Sequence, residues 1–221
     1  MCGIFGSFNY DIYDKEDILL KSLNKRGPDG NGVFRDFSTK TFLLHTRLSI
    51  IDVTTESNQP FQFKNFIIVF NGEIYNYQEI KSELITLGYE FKTNSDTEVV
   101  LISYFEWKEK CLIKFRGMFA FGIYNTLDNS FFGARDFFGI KPFYIYKKDE
   151  VFMFSSLIIT LLKTGAIAKK LNHNGLAIFL QTGSFTQEET IIDQIKQLPP
   201  AHYIQIKGKD FSIHKYWDIR N

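Results

Sequence analysis

The runs Met118-Phe119-Ala120-Phe121-Gly122-Ile123-Tyr124 and Ser130-Phe131-Phe132-Gly133-Ala134 decide the fold. Both runs are short and rich in aromatic and β-branched residues, which is typical of strands. The brief polar turn at residues 127–130 joins them and favours antiparallel pairing. Because both faces of these strands are apolar, their sheet needs one packed layer above it and another below it.

Shorter runs of similar composition predict further strands. They lie at Gly3 to Asn9, Phe42 to Thr46, Phe66 to Phe70, Pro142 to Tyr146, Val151 to Ser155 and His202 to Lys207. Polar turns at residues 147–150 and 208–210 predict two more hairpins. Antiparallel sheets are therefore expected along most of the chain.

Helical segments supply the outer layers. Their apolar spacing and polar boundaries predict helices at Asp14 to Lys25, Asn76 to about Gly88, from Ser95 through Ile102, Leu157 to Lys163 and Asn174 to Gln181. The spacings Asn76 to Glu79 and Ser95 to Glu98 match the capping box, in which side chains satisfy N–H groups of the first turn. Together, these elements predict an α+β fold with two antiparallel sheets packed face to face and covered by helices.

The composition excludes several classes of protein. The 221 residues suit one large domain, and the net charge of +1 provides no basic field for nucleic acid or an anionic membrane. Two Cys and four His exclude a disulfide scaffold and a Cys/His zinc cluster. The N-terminus lacks a signal-peptide pattern, and no run reaches the roughly 18 apolar residues of a membrane span. We expect a cytoplasmic protein with free thiols.

Cys2 is the first candidate for chemistry, because a small side chain after the initiator permits removal of Met1. The mature chain would then begin with a thiol and a free α-amino group on one residue. Their pKa values are ordinarily about 8.5 and about 7.7–8.0, so the amine can accept the thiol proton near neutral pH. Cys2 is thus a candidate nucleophile with a built-in base. The alternative is a small buried cysteine at a strand start, as we expect for Cys111.

Asn71-Gly72 directly follows the strand-like run that ends at Phe70. If the strand ends there, the Gly72 N–H is open to approach and the Asn71 amide offers a second donor. Two such donors can form an oxyanion hole. The alternative is a hairpin turn, for which Asn-Gly is the commonest dipeptide. The helix signal at Asn76, where a hairpin would need a second strand, weakens that alternative.

Arg47 and Asp96 are candidates for binding a charged ligand. Only six of the 26 basic residues are Arg, so an Arg suggests a need for the planar, bidentate guanidinium. Arg47 ends a strand-like run, and its carboxylate partner is either a ligand or an acid of this chain. Asp96 either stabilises a helix N-terminus or accepts a ligand ammonium group. Together the two residues suit the charged ends of a free amino acid.

These residues fall into seven motifs, which are Cys2 at the second position, Arg26-Gly27-Pro28-Asp29-Gly30, His45-Thr46-Arg47-Leu48-Ser49-Ile50-Ile51-Asp52, Phe70-Asn71-Gly72-Glu73-Ile74-Tyr75-Asn76, Ser95-Asp96-Thr97-Glu98, Arg116-Gly117-Met118-Phe119-Ala120-Phe121 and Ala134-Arg135-Asp136-Phe137-Phe138-Gly139-Ile140-Lys141-Pro142. In content and order they resemble the glutaminase domain of class II glutamine amidotransferases, most closely that of glutamine-hydrolysing asparagine synthetases. The resemblance runs from Cys2 to Asp218. It implies the N-terminal-nucleophile hydrolase fold, a four-layer αββα sandwich.

The resemblance also implies roles for the matching residues. Cys2 would attack the side-chain carboxamide of L-glutamine and form a γ-glutamyl thioester. Asn71 and the Gly72 N–H would stabilise the oxyanion. Arg47 would hold the α-carboxylate of glutamine, and Asp96 would hold its α-ammonium group.

Further residues are implied around this pocket. Backbone groups near Ile50 and Ile51, with Glu73, would line it, and the half-reaction needs no metal or cofactor. Three more arginines are expected to form structural ion pairs or to order loops, with Asp136 as one partner: Arg26, Arg116 and Arg135.

Residues 2–215 are assigned to the glutaminase domain and residues 216–221 to the start of a linker. The Ser-Gly-Gly-x-Asp-Ser pyrophosphate loop of the family's synthetase domain is absent. ATP and Mg are therefore implied only for a separate synthetase domain or subunit, which would use the ammonia, with asparagine as the leading product. The implied partners are L-glutamine and that synthetase. No nucleic acid or membrane partner is implied, and a homodimer is left open.

Two other functions stay open at this point. An N-terminal-cysteine acylase or peptidase would use the same nucleophile on other amides. A non-catalytic remnant that binds glutamine or a partner is expected if Met1 is retained, because an acylated amine is no base.

Overall fold

The computed structural model describes residues 1–52, 54–185 and 188–220. Within these residues the strands are β1 (Gly3–Phe8), β2 (Gly30–Asp36), β3 (Thr41–Arg47), β4 (Phe61–Phe63), β5 (Phe66–Ile74), β6 (Gly117–Asn125), β7 (Ser130–Arg135), β8 (Tyr144–Lys148), β9 (Val151–Ser155), β10 (Ile195–Gln197), β11 (His202–Lys207) and β12 (Asp210–Lys215). The α-helices are α1 (Glu16–Leu23), α2 (Tyr77–Thr86), α3 (Asp96–Trp107), α4 (Ile158–Lys163) and α5 (His173–Thr182).

The strands form two six-stranded antiparallel sheets. The first has the order β10-β8-β9-β1-β3-β2, and the second has the order β12-β11-β7-β6-β5-β4. The hairpins predicted at residues 127–130, 147–150 and 208–210 are confirmed as the β6–β7, β8–β9 and β11–β12 connections.

Three clusters of buried side chains separate four layers. Ile4 and Val69 belong to the cluster between the two sheets. Phe5 and Leu161 belong to a second cluster, which lies between the first sheet and the helices α1 and α4. Leu84 belongs to a third, between the second sheet and the helices α2 and α3. Alternate residues of one strand, such as Ile4 and Phe5, thus enter different layers, and the predicted αββα sandwich is confirmed.

Three strands, β2, β4 and β10, were not expected from the sequence, and β12 was expected only as the second strand of the hairpin at residues 208–210. β4 and β10 contain only three residues each, which is too short for a visible pattern. β2 and β12 lie at sheet edges and expose much of their polar surface, so their apolar alternation is weak.

β5 does not end at Asn71-Gly72, and the strand-end prediction is wrong. The strand stays paired with β6 through Ile74, which also rules out the hairpin turn. A Cβ atom at Gly72 would lie 2.4 Å from the Met118 carbonyl oxygen. Glycine is therefore required here by the close approach of β6, not by access at a free strand end.

The two capping boxes are only partly formed. Asn76 does not cap α2, because its Oδ1 accepts a hydrogen bond from the Arg116 N–H at 2.9 Å. Ser95 caps α3 and accepts a hydrogen bond in its first turn at 3.1 Å. Glu98, however, accepts from the Thr93 N–H at 2.7 Å instead of reaching back to Ser95. Asn76 and Glu98 therefore bind neighbouring backbone segments instead of completing the two capping boxes.

No helix in the described residues is both long enough and apolar enough to cross a bilayer.

Candidate active site

One cavity of about 230 Å³ lies where the N-terminus, the end of β3 and the second half of β5 meet. It is smaller than the roughly 300–1,000 Å³ of sites for drug-sized ligands, which suits a small metabolite. Its walls contain all eight residues singled out from the sequence, namely Cys2, Arg47, Ile50, Ile51, Asn71, Gly72, Glu73 and Asp96.

The Cys2 thiol lies just before β1 and faces the backbone of Leu48. The Leu48 N–H donates to Sγ at 3.5 Å, and the Leu48 carbonyl oxygen lies 3.7 Å from Sγ. Burial raises the pKa of the Cys2 thiol above its usual range, and the Leu48 hydrogen bond offsets this only in part. The thiol is therefore protonated at neutral pH and needs a base before it can act as a nucleophile.

The N-terminus of the chain lies at the same cavity as this thiol. Met1 lines the cavity, and the Arg26 Nε donates to the Cys2 carbonyl oxygen at 2.9 Å. Burial lowers the pKa of the Met1 α-amino group. Arg26 thus holds the peptide group between Cys2 and Gly3 through a hydrogen bond to its carbonyl oxygen, and it forms no ion pair among the described residues.

β5 presents backbone N–H groups to the cavity. In an antiparallel pair, the N–H groups of alternate residues point towards the partner strand and away from it. The Phe70 N–H points away from β6 and donates to Gln59 Oε1 at 2.6 Å. The Ile74 N–H does the same and donates to Asp96 Oδ2 at 3.0 Å. Gly72 lies between these residues, so its N–H faces the same way, and no acceptor meets it among the described residues.

The Asn71 side chain is also without partners. It is 1% exposed, and neither Nδ2 nor Oδ1 has a hydrogen-bond partner within residues 1–52, 54–185 and 188–220. A buried polar group left unsatisfied costs about 1–3 kcal/mol. Asn71 and the Gly72 N–H therefore form a pair of donors that a bound molecule would satisfy.

Asp96 is a buried carboxylate at the start of α3. It is 4% exposed, and no Lys or Arg of the described chain lies within 4.0 Å of its oxygens. Burial raises the pKa of Asp96 to about 6, although the Ile74 N–H favours the ionised form. A ligand cation in the cavity would supply the missing opposite charge.

Arg47 is 8% exposed and points its guanidinium into the following loop. Nη1 donates to the Thr54 carbonyl oxygen and to Asn58 Oδ1, both at 2.7 Å. Nη2 donates to Ser57 Oγ and to the Asp52 carbonyl oxygen. No acid of the described chain forms an ion pair with it, so the intramolecular ion pair is not found. A carboxylate could bind Nη1 or Nη2 only by displacing a loop oxygen.

Two lining residues carried no signal that sequence reasoning detected. Gln59 is 7% exposed and bridges the Phe70 N–H and Thr97 Oγ1, so it fixes β5 against α3. Lys141 is 3% exposed and places its side chain in the cavity wall. It stands in one of the seven motifs, and its basic side chain in an otherwise apolar stretch could have singled it out.

Asp136, in the turn that carries Lys141, was expected to pair with an arginine, and this expectation is wrong. The Asp136 carboxylate instead accepts hydrogen bonds from four N–H groups, those of Phe119, Phe138, Ile140 and Lys141. It forms no ion pair with Arg135.

Arg135 instead donates to three carbonyl oxygens, those of Gly139, Lys141 and Leu198, at 2.5–2.7 Å. The two side chains order the loop through backbone groups, because buried charges in this turn find enough N–H and C=O partners nearby.

In the described part of the chain, no group of three or more His, Cys, Asp or Glu side chains could hold a metal ion.

Known proteins match this chain along its whole length. The model of the glutamine amidotransferase domain family matches residues 1–217. Asparagine synthetases 3 and 1 of Bacillus subtilis, both glutamine-hydrolysing, are 33% and 37% identical over 100% and 99% of this chain. The chain spans only about a third of these relatives, 37% and 34% of their lengths.

A solved structure shows the same fold. The glutamine phosphoribosylpyrophosphate amidotransferase of B. subtilis matches with a TM-score of 0.72 and 20% identity. The match covers 98% of this chain and 49% of the other. The chain therefore belongs to the class II glutamine amidotransferase domain family, as a homologue of the glutaminase half of glutamine-hydrolysing asparagine synthetases.

Proposed function

We propose that this chain hydrolyses L-glutamine to glutamate and ammonia with Cys2 as the N-terminal nucleophile. One observation carries the proposal: a partly buried thiol shares one small cavity with two donors that have no acceptor and a carboxylate that has no counter-charge among the described residues. Nucleophile, oxyanion donors and a site for an ammonium group are the parts that acyl transfer from an amino-acid amide requires.

The substrate would be held by its two charged ends. Asp96 would accept the α-ammonium group, which removes the cost of its uncompensated burial. Arg47 would bind the α-carboxylate by exchanging one of its loop contacts for a charge-assisted hydrogen bond. Ile50, Ile51 and Glu73 would line the remaining wall. Fixing both ends leaves the side-chain carboxamide little freedom beside Cys2.

The chemistry would proceed in two steps. The α-amine takes the Cys2 proton as Sγ bonds to the carboxamide carbon, and the C=O electron pair moves onto the oxygen, where the Asn71 Nδ2–H and Gly72 N–H stabilise it. The C–N bond then breaks, the ammonium group of Cys2 gives the proton to the departing nitrogen, and ammonia and a γ-glutamyl thioester result. Water, deprotonated by the same amine, attacks the thioester and releases glutamate and the thiol.

Removal of Met1 is a condition of this mechanism. While Met1 is present, the nitrogen of Cys2 is an amide and has no basic lone pair. Met1 itself occupies the cavity wall. The trimmed chain would place a free amine and a thiol at the same position, with the Cys2 carbonyl held by Arg26.

A synthetase is the partner we propose for the ammonia. An apolar surface adjoins the cavity and is formed by Tyr75, Ile113, Phe138, Ile140 and Trp217. Phe138 is 68% exposed, and Ile140 lines both this surface and the cavity. Exposed apolar patches of this kind mark interaction sites. An ATP-dependent synthetase docked here would receive ammonia before it reached solvent, and asparagine is the leading product because the relatives are asparagine synthetases.

The free Cys2 thiol fits a reducing, cytoplasmic compartment.

The test is glutamate and ammonia production by protein whose trimmed N-terminus has been established by intact mass. We expect equal amounts of both products from L-glutamine, and a loss of about 10⁴-fold in Cys2→Ala. Protein that retains Met1 should be equally inactive. D-Glutamine is the control for recognition of the two charged ends.

Three results would contradict the proposal. Trimmed protein that binds glutamine without turning it over would be a binding module. Turnover of bulky amides in preference to glutamine would make it an acylase. Activity that survives Cys2→Ala would place the nucleophile elsewhere.

A further inference from the structure

Lys141 is a buried cation that the proposed mechanism does not use. The residue is 3% exposed and lines the same cavity as Cys2. Among the described residues, no acid lies within 4.0 Å of its Nζ and no acceptor forms a hydrogen bond with it. Burial lowers the pKa of Lys141 while Glu73 raises it, so a lysine without a direct partner needs a reason at this position.

The backbone of Lys141 is held rigidly on both sides. Its N–H donates to Asp136 Oδ2 at 2.9 Å, and its carbonyl oxygen accepts from Arg135 Nε at 2.7 Å. Since the peptide groups cannot turn, the direction in which the side chain leaves the backbone is fixed. From this turn the side chain reaches the cavity wall, where it lies with Met1, Cys2 and Glu73.

The charges around the N-terminal amine have a simple balance. Lys141, Arg26 and Glu73 are the charged side chains that act on the Met1 amine, and Arg47 and Asp96 act on the adjacent Cys2 thiol. Lys141 makes the difference between a local formal charge of +1 and one of zero. Burial lowers the pKa of the Met1 amine, and Lys141 and Arg26 lower this pKa further, while Cys2 and Glu73 act in the opposite sense. The amine of trimmed Cys2 would lie next to this position.

We propose that Lys141 is a positioning residue of this site, whose uncompensated positive charge keeps the α-amine of trimmed Cys2 in its neutral form. A neutral amine can accept the thiol proton, and the same charge stabilises the thiolate that results. Lys141 acts on the reaction through the amine and the sulfur. The inference rests on the proposed role of the Cys2 amine.

The test measures thiol reactivity independently of turnover. The rate of Cys2 alkylation by iodoacetamide is followed from pH 5 to pH 9 in trimmed wild-type, Lys141→Met, Lys141→Arg and Lys209→Met proteins. Lys209 lies on an exposed hairpin, so Lys209→Met is the matched control for the loss of one charge. Cys111 is fully buried and serves as an unreactive internal reference.

We expect the alkylation profile of Lys141→Met to move to higher pH by roughly 0.5–1 unit, with a several-fold slower reaction at pH 7. The acid limb of kcat/KM for glutamine should move equally, with KM changed less than about twofold. Lys141→Arg should retain the wild-type profile, because arginine keeps the charge and cannot act as a base. Lys141→Met should be at least as stable as the wild type, since an unpaired buried charge has been removed.

An unchanged profile in Lys141→Met would overturn the proposal. Loss of reactivity in Lys141→Arg would overturn it in favour of a neutral lysine that is itself the base. A large loss of stability with an unchanged profile would assign Lys141 a structural role. If the profile moves as expected but wild-type protein releases no glutamate, the inference stands and the proposed function fails.

Discussion

The turn at residues 135–141 and the cavity beside it both bury polar and charged side chains. The side chains in the turn have hydrogen-bond partners, whereas important ones in the cavity lack a partner or a counter-charge among the described residues. Asp136 accepts four backbone N–H groups, and Arg135 donates to three carbonyl oxygens. In the cavity, Asn71 has no partner among the described residues, and Asp96 has no counter-charge there. The two regions lie in contact, because Lys141 belongs to both.

The difference separates stability from binding. A buried charge with all its hydrogen bonds made holds a loop in one conformation. A buried polar group without partners lowers the stability of the free protein, and a bound molecule that supplies the missing partner removes this penalty. Removing side chains of the first kind should strongly destabilise the protein, whereas removing those of the second should spare the fold and impair function. The predictions that follow test this division.

The largest effect on stability is expected for Asp136→Ala. The substitution leaves four backbone N–H groups without their carboxylate acceptor, at a cost of about 4 kcal/mol in the free energy of unfolding. Asp128→Ala, an exposed aspartate on the β6–β7 turn, is the matched control and should cost less than about 1 kcal/mol. Urea denaturation measures both. Equal losses in the two variants would show that the Asp136 hydrogen bonds do not stabilise the turn.

The next largest effect is expected for Asn71→Ala, and it is a loss of glutamine turnover. Loss of one oxyanion donor should lower kcat for glutamine about 10²–10³-fold. The free energy of unfolding should change by less than about 1 kcal/mol, because the amide makes no hydrogen bond to the described chain. Steady-state kinetics and urea denaturation of one preparation test both parts. A variant that is strongly destabilised would place Asn71 with the structural group.

A smaller and opposite effect on stability is expected for Asp96→Asn. The pKa of Asp96 in the folded protein, about 6, is above the usual value of about 3.9. Asp96 therefore favours folding fully below about pH 4, and this contribution is lost as the pH rises through 6. Asparagine mimics the protonated form at every pH, so the variant should be about 2 kcal/mol more stable than the wild type at pH 8. The gain should vanish near pH 4, and a gain of equal size at both pH values would refute the assignment.

The smallest effect is expected for the pH dependence of glutamine binding. The substrate ammonium group needs ionised Asp96, and at pH 5 only about a tenth of a group with a pKa near 6 is ionised. The Kd for glutamine should thus be about tenfold higher at pH 5 than at neutral pH. Calorimetry on Cys2→Ala avoids turnover during the measurement. In the same background, Asp96→Asn should bind more weakly and without this pH dependence.

Much of the fold could be predicted from the sequence because its central strands are apolar on both faces. The local pattern of apolar and polar residues predicted the hairpin between β6 and β7. It also predicted the start of helix α3. β2 was not visible, since an edge strand needs no apolar face.

The candidate site was predicted less directly. The order of seven motifs, rather than any local pattern, indicated that Cys2, Asn71 and Asp96 would lie together. Gly72 was selected as a donor for the wrong local reason, because the direction of its N–H is fixed by pairing with β6 and not by a strand end. The loop contacts of Arg47 could not be predicted, since its acceptors lie on an irregular segment with no periodic signal.

The N–H groups along β5 point alternately towards β6 and away from it, so the geometry of the site depends on whether the number of residues in this strand is changed by an odd or an even number. Inserting or deleting one residue between Phe66 and Gly72 would turn the Gly72 N–H towards β6 and rotate the Asn71 amide to the opposite face of the sheet. A change of two residues would restore both directions. Length variation within this strand is therefore compatible with the proposed oxyanion hole only in even steps.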